Sequence, residues 1–273
     1  MSFFEVDQEK CKQDGICAQV CPFELIDFKK GEYPSPAENA EDMCLLCGHC
    51  VAVCPTGSFS HINMPTDKCP QVKKKLKLSV EECEHFLRSR RSIRVYKDKP
   101  VAREDISRLV HIARYAPSGH NSQGAKWLVL DNKDELHELA GLVIEWMHGL
   151  IKKMPDFALA MHMDKAVERW DKGNDVILRN APAVIVAYAE KKAAVSASTC
   201  TLALSYLELA SISMGLGCCW AGYFNAAASM YRPMIKKLAV GEDYQCFGSM
   251  MIGRPKFRYH RLPLRNAPHI TWR

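Results

Sequence analysis

Long uninterrupted hydrophobic runs are missing from this 273-residue chain. Its longest weakly polar stretch, 193–220, carries Glu208 and many Ser and Thr residues, so it reads as a buried helix and a strand rather than a membrane span. The opening MSFFEVDQEK has no basic segment followed by an apolar one, and no secretory leader is expected. No basic stripe interleaved with aromatics is present, which argues against a nucleic-acid partner despite a formal net charge of +6. Long low-complexity tracts are absent too. What remains, 48% hydrophobic and 25% charged residues, suits a soluble globular protein with one large or two modest domains.

Cysteine, by contrast, is abundant. Thirteen in a chain with no export signal point to metal binding in a reducing cytoplasm rather than to disulfides. Cys44, Cys47, Cys50 and Cys54 spell C-x2-C-x2-C-x3-C, closed by Pro55. Cys11, Cys17 and Cys21 form an incomplete copy, followed by Pro22, and the two runs are the only internal repeat. This is the ligand pattern of a two-cluster bacterial ferredoxin, in which the fourth cysteine of each run serves the other cluster. Cys44, Cys47 and Cys50 are therefore expected to share a cluster with Cys21, and Cys11 and Cys17 with Cys54.

The missing cysteine falls at Asp14. A carboxylate there gives either a 4Fe–4S cluster with Asp14 as ligand or a 3Fe–4S cluster with that corner empty; the plainer alternative is a turn cap. Zinc is the rival metal, but it wants four ligands per site rather than interlocking runs ending in Cys-Pro. His49, inside the second run, reads as an exposed neighbour and not a ligand. Cys69, Cys83, Cys200, Cys218, Cys219 and Cys246 lack the spacing and read as small core residues or linker thiols.

Three segments follow from the pattern. Residues 1–65 hold the cysteine runs, 66–78 form a basic linker (TDKCPQVKKKLKL), and 79–273 form a second domain. The Lys run reads as a solvated connector, with docking of an acidic partner as the alternative. Ser79 and Glu82 give a capping-box signature opening a helix to about residue 90. Helices are expected around 106–113, 134–151, 198–214 and 229–238, and strands at 126–130, 183–189, 216–221 and 245–252. Such alternation leaves α/β and α+β both open.

Three patches of the second domain carry chemistry. Arg90, Arg91, Ser92 and Arg94 can grip a phosphate. Pro117, Ser118, Gly119, His120 and Asn121 bring small and amide groups near a planar ring, with Trp127 following. Gly215 to Gly222, including Trp220 and Ala221, turns a helix end into a strand, and Arg261 lies in a further cationic loop.

The ordered set RRSIRVY, APSGHNSQ-x3-W, RNAPAVIV, GLGCCWAG and IGRP resembles the FMN-dependent nitroreductase family over about 79–273. With its cysteine runs, the whole chain resembles ferredoxin–nitroreductase fusions, found mostly in anaerobes. The resemblance implies an α+β fold: a mixed sheet flanked by helices, with a small N-terminal two-cluster ferredoxin-like domain, assembled as a homodimer with FMN at the subunit interface. Arg90, Ser92 and Arg94 would hold the phosphate and pyrimidine side of FMN. Pro117, Ser118, Gly119, His120 and Asn121 would line its ring from the partner subunit, and Arg261 would reach the phosphate.

Ala221 and Gly222 match the strand whose backbone N–H approaches flavin N5. Ala221 departs from the Glu common in this position, which puts a side-chain contact to pyridine nucleotide in doubt. His120 reads as a turn residue packed on the ring, with proton donation as the alternative. The variable region 142–175, with Trp146, His148, Met154, Phe157, His162 and Met163, is expected to shape a substrate pocket, though for most of these side chains core packing is the plainer account. Two clusters and a flavin phosphate would bring the net charge to roughly +1. The function implied is transfer of single electrons from an external donor, a ferredoxin or reductase, through two clusters to FMN and on to a nitroaromatic, quinone or similar acceptor. The alternatives are an electron-transfer module or redox sensor without turnover, and a flavin-consuming enzyme.

Overall fold

The computed structural model describes residues 3–273. The chain divides into two compact units: residues through Lys77 together with His120–Ser122, and Leu78–Gly119 together with Gln123–Arg273.

The first unit comprises β1 (Phe4–Val6), α1 (Ile16–Gln19), β2 (Ile26–Asp27), β3 (Ser35–Pro36), α2 (Ala40–Met43), α3 (His49–Val53) and β4 (Phe59–His61). β1 pairs antiparallel with β4, and β2 with β3. Its buried core is Phe3, Phe4, Cys17, Leu25, Ile26, Ala40, Val51 and Phe59. That is a thin core for a unit of this size, and small domains of this kind commonly rely on bound metal for stability.

An offset of 33 residues maps Cys11 onto Cys44, Cys17 onto Cys50 and Cys21 onto Cys54. The backbone obeys the same offset. Gln13 and Leu46 are both left-handed (φ 52° and 50°), as are Gly15 and Gly48 (70° and 72°), and Glu24 and Gly57 (54° and 67°). A left-handed non-glycine residue costs roughly 1–2 kcal/mol, so Gln13, Glu24 and Leu46 mark where the wrapping of the cysteine loops dictates conformation. At Gly15 a Cβ would lie 2.4 Å from the Phe28 ring. Gly15→Ala is expected to distort the loop of the first cysteine run, at a cost above ~1 kcal/mol, and to lower the iron content of the purified protein. Gly48→Ala meets only the flexible Met64 side chain at 3.0 Å and should be milder; iron analysis of both variants checks this.

The second unit comprises α4 (Val80–Ser89), α5 (Arg103–Ala113), β5 (Lys126–Leu130), α6 (Lys133–Lys153), α7 (Pro155–Ala160), α8 (Met163–Asp171), β6 (Ala183–Glu190), α9 (Ser196–Ser213), β7 (Gly217–Trp220), α10 (Gly222–Met230), α11 (Arg232–Leu238) and β8 (Tyr244–Gly253). The strands form one sheet in the order β5-β6-β8-β7, every pair antiparallel. Antiparallel pairing with helices on both faces makes this α+β.

Side chains of β6 alternate between two cores. Val184 and Val186 pack with α6, α8, α10 and α11, whereas Ala183, Ile185 and Ala187 pack with α5 and α9. Burial on both faces explains why this strand is apolar without interruption. One expected element differs. In place of a helix over 229–238 there are two, α10 and α11, because Pro233 cannot continue a helix and Tyr231 is extended (φ −99°, ψ 110°).

α4 starts as its signature foretells. Ser79 Oγ accepts from the Glu82 N–H at 3.1 Å and Glu82 accepts from the Ser79 N–H at 2.8 Å. Ser79→Ala should cost about 1 kcal/mol in chemical denaturation of the second unit within the full chain.

Candidate functional site

In the first unit the cysteines segregate into two cavities. One is lined by Cys21, Cys44, Cys47 and Cys50, with Phe3, Phe23, Leu25 and Ile26 among its apolar walls. The other is lined by Cys11, Asp14, Cys17 and Cys54, with Thr56 and Ser58. Each donor set is the one the crossed pattern groups together. Among the described residues no three or more of these donors converge on a point suited to a single ion.

Hydrogen-bond donors are aimed at the sulfurs. The Gln13 N–H donates to Cys11 Sγ at 3.5 Å and the Leu25 N–H to Cys21 Sγ at 3.3 Å. Cys54 Sγ lies 3.2 Å from Ser58 Oγ and 3.6 Å from Thr56 Oγ1. Burial opposes ionisation of Cys54, but the Ser58 and Thr56 hydroxyls together with the backbone N–H groups of Phe59 and Thr56 outweigh it and bring the thiol down to about 7. Burial raises Cys17, and raises Cys50 to about 11. A bound metal overrides such preferences by deprotonating its thiols outright. Donors around sulfur fit thiolates that carry a cluster. Asp14 is exposed and its Oδ1 accepts from the Ile16 N–H at 3.3 Å, so it caps the turn while lining the cavity.

The other cysteines sit apart. Cys200, Cys218, Cys219 and Cys246 are buried and Cys69 and Cys83 exposed. Burial pushes Cys200 and Cys218 up to about 12 and Cys246 to about 11, which leaves them inert. His49 is exposed at the start of α3.

In the second unit, Arg90 Nη1 lies 3.0 Å from Glu208 Oε1 and 3.4 Å from Ser92 Oγ. Glu208 is only 7% exposed, on α9. Ile93, the residue after Ser92, is buried, its N–H donated to the Cys218 carbonyl, which fixes this segment along β7. Arg94 lies in a cleft with Tyr96, Asp98, Lys133, Asp175 and Arg179. Asp175 accepts the N–H groups of Ile177, Leu178 and Asn180, shaping the loop that presents Arg179.

The Ala221 N–H donates to the Ser249 carbonyl at 2.8 Å and belongs to the sheet. Gly222 opens α10, where first-turn N–H groups have no partner within the helix, and a Cβ on Gly222 would meet nothing within 4 Å. The open donor at this strand end is therefore that of Gly222, not of Ala221. Trp220 is partly exposed, beside Gly248. Guanidinium groups and a helix-start N–H are the donor types that a flat anionic cofactor such as FMN requires.

Pro117, Ser118 and Gly119 precede a left-handed run at His120, Asn121 and Gln123. Ser118 Oγ accepts from the Gln123 N–H at 3.0 Å, and Gly119 is pressed against Val195. His120 is exposed. Asn121, which groups with the first unit, donates its amide to the carbonyls of Leu45 and Leu46. Arg91 makes no side-chain hydrogen bond among the described residues, and Arg261 lies exposed in the extended C-terminal segment.

Of the 142–175 region, Trp146, Met147 and Met163 belong to the core, whereas Met154, Phe157 and Met161 are exposed. His148 and His162 are exposed as well. The Tyr223 hydroxyl donates to the Met161 carbonyl, tying the α7–α8 junction to α10.

Two cysteine-lined cavities in one unit and the guanidinium groups of Arg90, Arg94 and Arg179 in the other are donor sets for metal and for an anionic cofactor. The nitroreductase family model matches residues 87–254 and the 4Fe–4S dicluster domain model residues 9–59. The chain belongs to the nitroreductase family of oxidoreductases and carries an N-terminal 4Fe–4S domain.

An Archaeoglobus fulgidus protein whose assigned name is NADH dehydrogenase/NAD(P)H nitroreductase is 26% identical over 182 residues, 65% of this chain and 87% of its own. An iodotyrosine deiodinase of Thermotoga neapolitana is 28% identical over 130 residues, 48% of this chain and 68% of its own. A Bacteroides fragilis nitroreductase with bound FMN shares the fold at a TM-score of 0.55 and 22% identity, across 70% of this chain and 97% of that one. Among the described residues no helix is long and apolar enough to cross a membrane.

Proposed function

We propose that this chain takes single electrons from an external low-potential donor into two iron–sulfur clusters and, with FMN, reduces a small organic acceptor. The observation that carries this is the segregation of the cysteines into two cavities, each lined by its own four donors, in a chain of the nitroreductase family. Cys21, Cys44, Cys47 and Cys50 hold one cluster; Cys11, Cys17 and Cys54 hold the other, with Asp14 at its fourth corner. FMN lies on Arg90, Ser92, Arg94 and Gly222. The clusters supply one-electron chemistry, and FMN couples it to two-electron reduction of the acceptor.

The protein's residues bind and bias. Arg90, held by Glu208, offers its remaining N–H groups to the phosphate. The Gly222 N–H and the positive charge of Arg94 and Arg179 favour negative charge on the ring system. For a nitroarene, two electrons and two protons from solvent convert the nitro group to nitroso and release one water. No covalent nucleophile is required. The deiodinase relative favours including halogenated aromatics among the acceptors tested. We take the assembly to be a homodimer, as membership of the nitroreductase family favours, and place it in the cytoplasm, where reducing conditions keep its thirteen cysteines free of disulfides.

Anaerobic steady-state turnover with a reduced ferredoxin, set against NADPH as donor, tests this. Turnover with ferredoxin and slow NADPH oxidation support cluster-fed input. Rapid NADPH oxidation by the isolated chain contradicts it, and turnover with neither reduces the chain to a carrier.

A further inference from the structure

The two cavities of the first unit are related by the 33-residue offset, but the side-chain donors around them are not. At the cavity of Cys11, Asp14, Cys17 and Cys54, the donors are the hydroxyls of Thr56 and Ser58, both on Cys54. Under the offset, Thr56 and Ser58 correspond to Phe23 and Leu25, which offer Cys21 no side-chain donor. The cavity of Cys21, Cys44, Cys47 and Cys50 has His61 instead, whose Nε2 lies 3.7 Å from Cys44 Sγ. His61 corresponds in turn to Phe28, which has nothing to donate.

The tautomer of His61 follows from its other nitrogen. The Asn63 N–H points at Nδ1 at 3.0 Å, and a backbone N–H can only donate, so Nδ1 carries a lone pair and the ring proton sits on Nε2. The imidazole is 2% exposed and packs edge-on against Phe3, with centroids 5.5 Å apart. Water does not compete for the Nε2–H, and the turn after β4 locks the ring.

We propose that His61 is a positioning residue that donates Nε2–H to the Cys44 thiolate and raises the reduction potential of the cluster held by Cys21, Cys44, Cys47 and Cys50. This rests on the cluster reading given under Proposed function. Reduction adds negative charge to a cluster, and a hydrogen bond to a ligating sulfur stabilises that form. Of the two imidazoles lining this cavity, His49 and His61, His61 is the one placed against a cysteine sulfur, so its loss acts on one centre and leaves the other as an internal standard.

The test is an anaerobic, EPR-monitored redox titration of the full-length holoprotein and its His61→Phe and His61→Gln variants. His61→Phe, which copies the Phe28 half, is expected to disfavour reduction of one cluster about tenfold, a midpoint about 59 mV lower for a one-electron couple, with the other unmoved. His61→Gln keeps an N–H donor and should fall between that variant and the parent. Two intact clusters with both midpoints unmoved, or both moved alike, overturn the role of His61.

Should His61→Phe fail to assemble, the His49→Ala protein labelled with 15N-histidine carries the question. Pulsed EPR is expected to find one imidazole nitrogen coupled to one reduced cluster, and no coupling overturns the proposal. Absence of any iron–sulfur signal in the wild-type chain overturns the cluster reading itself, and this inference with it.

Discussion

Arg90→Ala should strip the flavin and unsettle the second unit together. The substitution leaves Glu208 buried on α9 with its partner gone, and breaking a buried ion pair from one side costs about 3–5 kcal/mol. The lower end of that range is expected, since the Arg90 side chain is 27% exposed against 9% for Glu208. The paired variant Arg90→Met/Glu208→Leu separates the two effects. With both charges gone, most of the stability should return, because well-packed apolar pairs replace buried ion pairs at little cost. The flavin should not return, because the phosphate has lost its guanidinium. Chemical denaturation and flavin content, measured on both variants, check this. Flavin retained at wild-type stoichiometry in the paired variant would remove Arg90 from the site.

Cys50→Ser should remove one cluster and leave the other. Cys50 lines the same cavity as Cys21, Cys44 and Cys47, and no spare cysteine lies in that lining to replace it. Iron content should fall by about half and ferredoxin-driven turnover to background, with flavin content unchanged. Cys17→Ser should remove the other cluster. The spectrum that survives in Cys50→Ser then identifies whether the centre beside Asp14 holds three irons or four. Full ferredoxin-driven turnover in either variant would mean that the missing centre lies off the path.

Local signals were legible in the sequence where local physics decides. The capping box at Ser79, the strand over 126–130 and the apolar strand expected at 183–189 stand where their patterns put them, the last running one residue further. The break at Pro233 was written there too, but the apolar spacing on either side masks it as one helix. Strand direction was not legible, because a period of two says nothing of parallel or antiparallel pairing.

The grouping of cysteines was visible because their spacing is itself the chemistry. The partners around them were not. His61 lies 17 residues from Cys44, and Glu208 lies 118 residues from Arg90. Glu208 did carry a signal: the lone charged residue of an otherwise uncharged helix must be paired if it is buried. The choice of Gly222 over Ala221 as the open donor depends on which N–H the sheet consumes, a matter of register that no motif records.

The central claim is that clusters and flavin form one circuit ending at a small organic acceptor. The most direct test is an anaerobic visible spectrum of the fully reduced protein, followed as excess dinitrobenzene is added. The account predicts that cluster and flavin bands reoxidise together and rapidly. A flavin that stays reduced, or clusters that stay reduced while the flavin reoxidises, would contradict it.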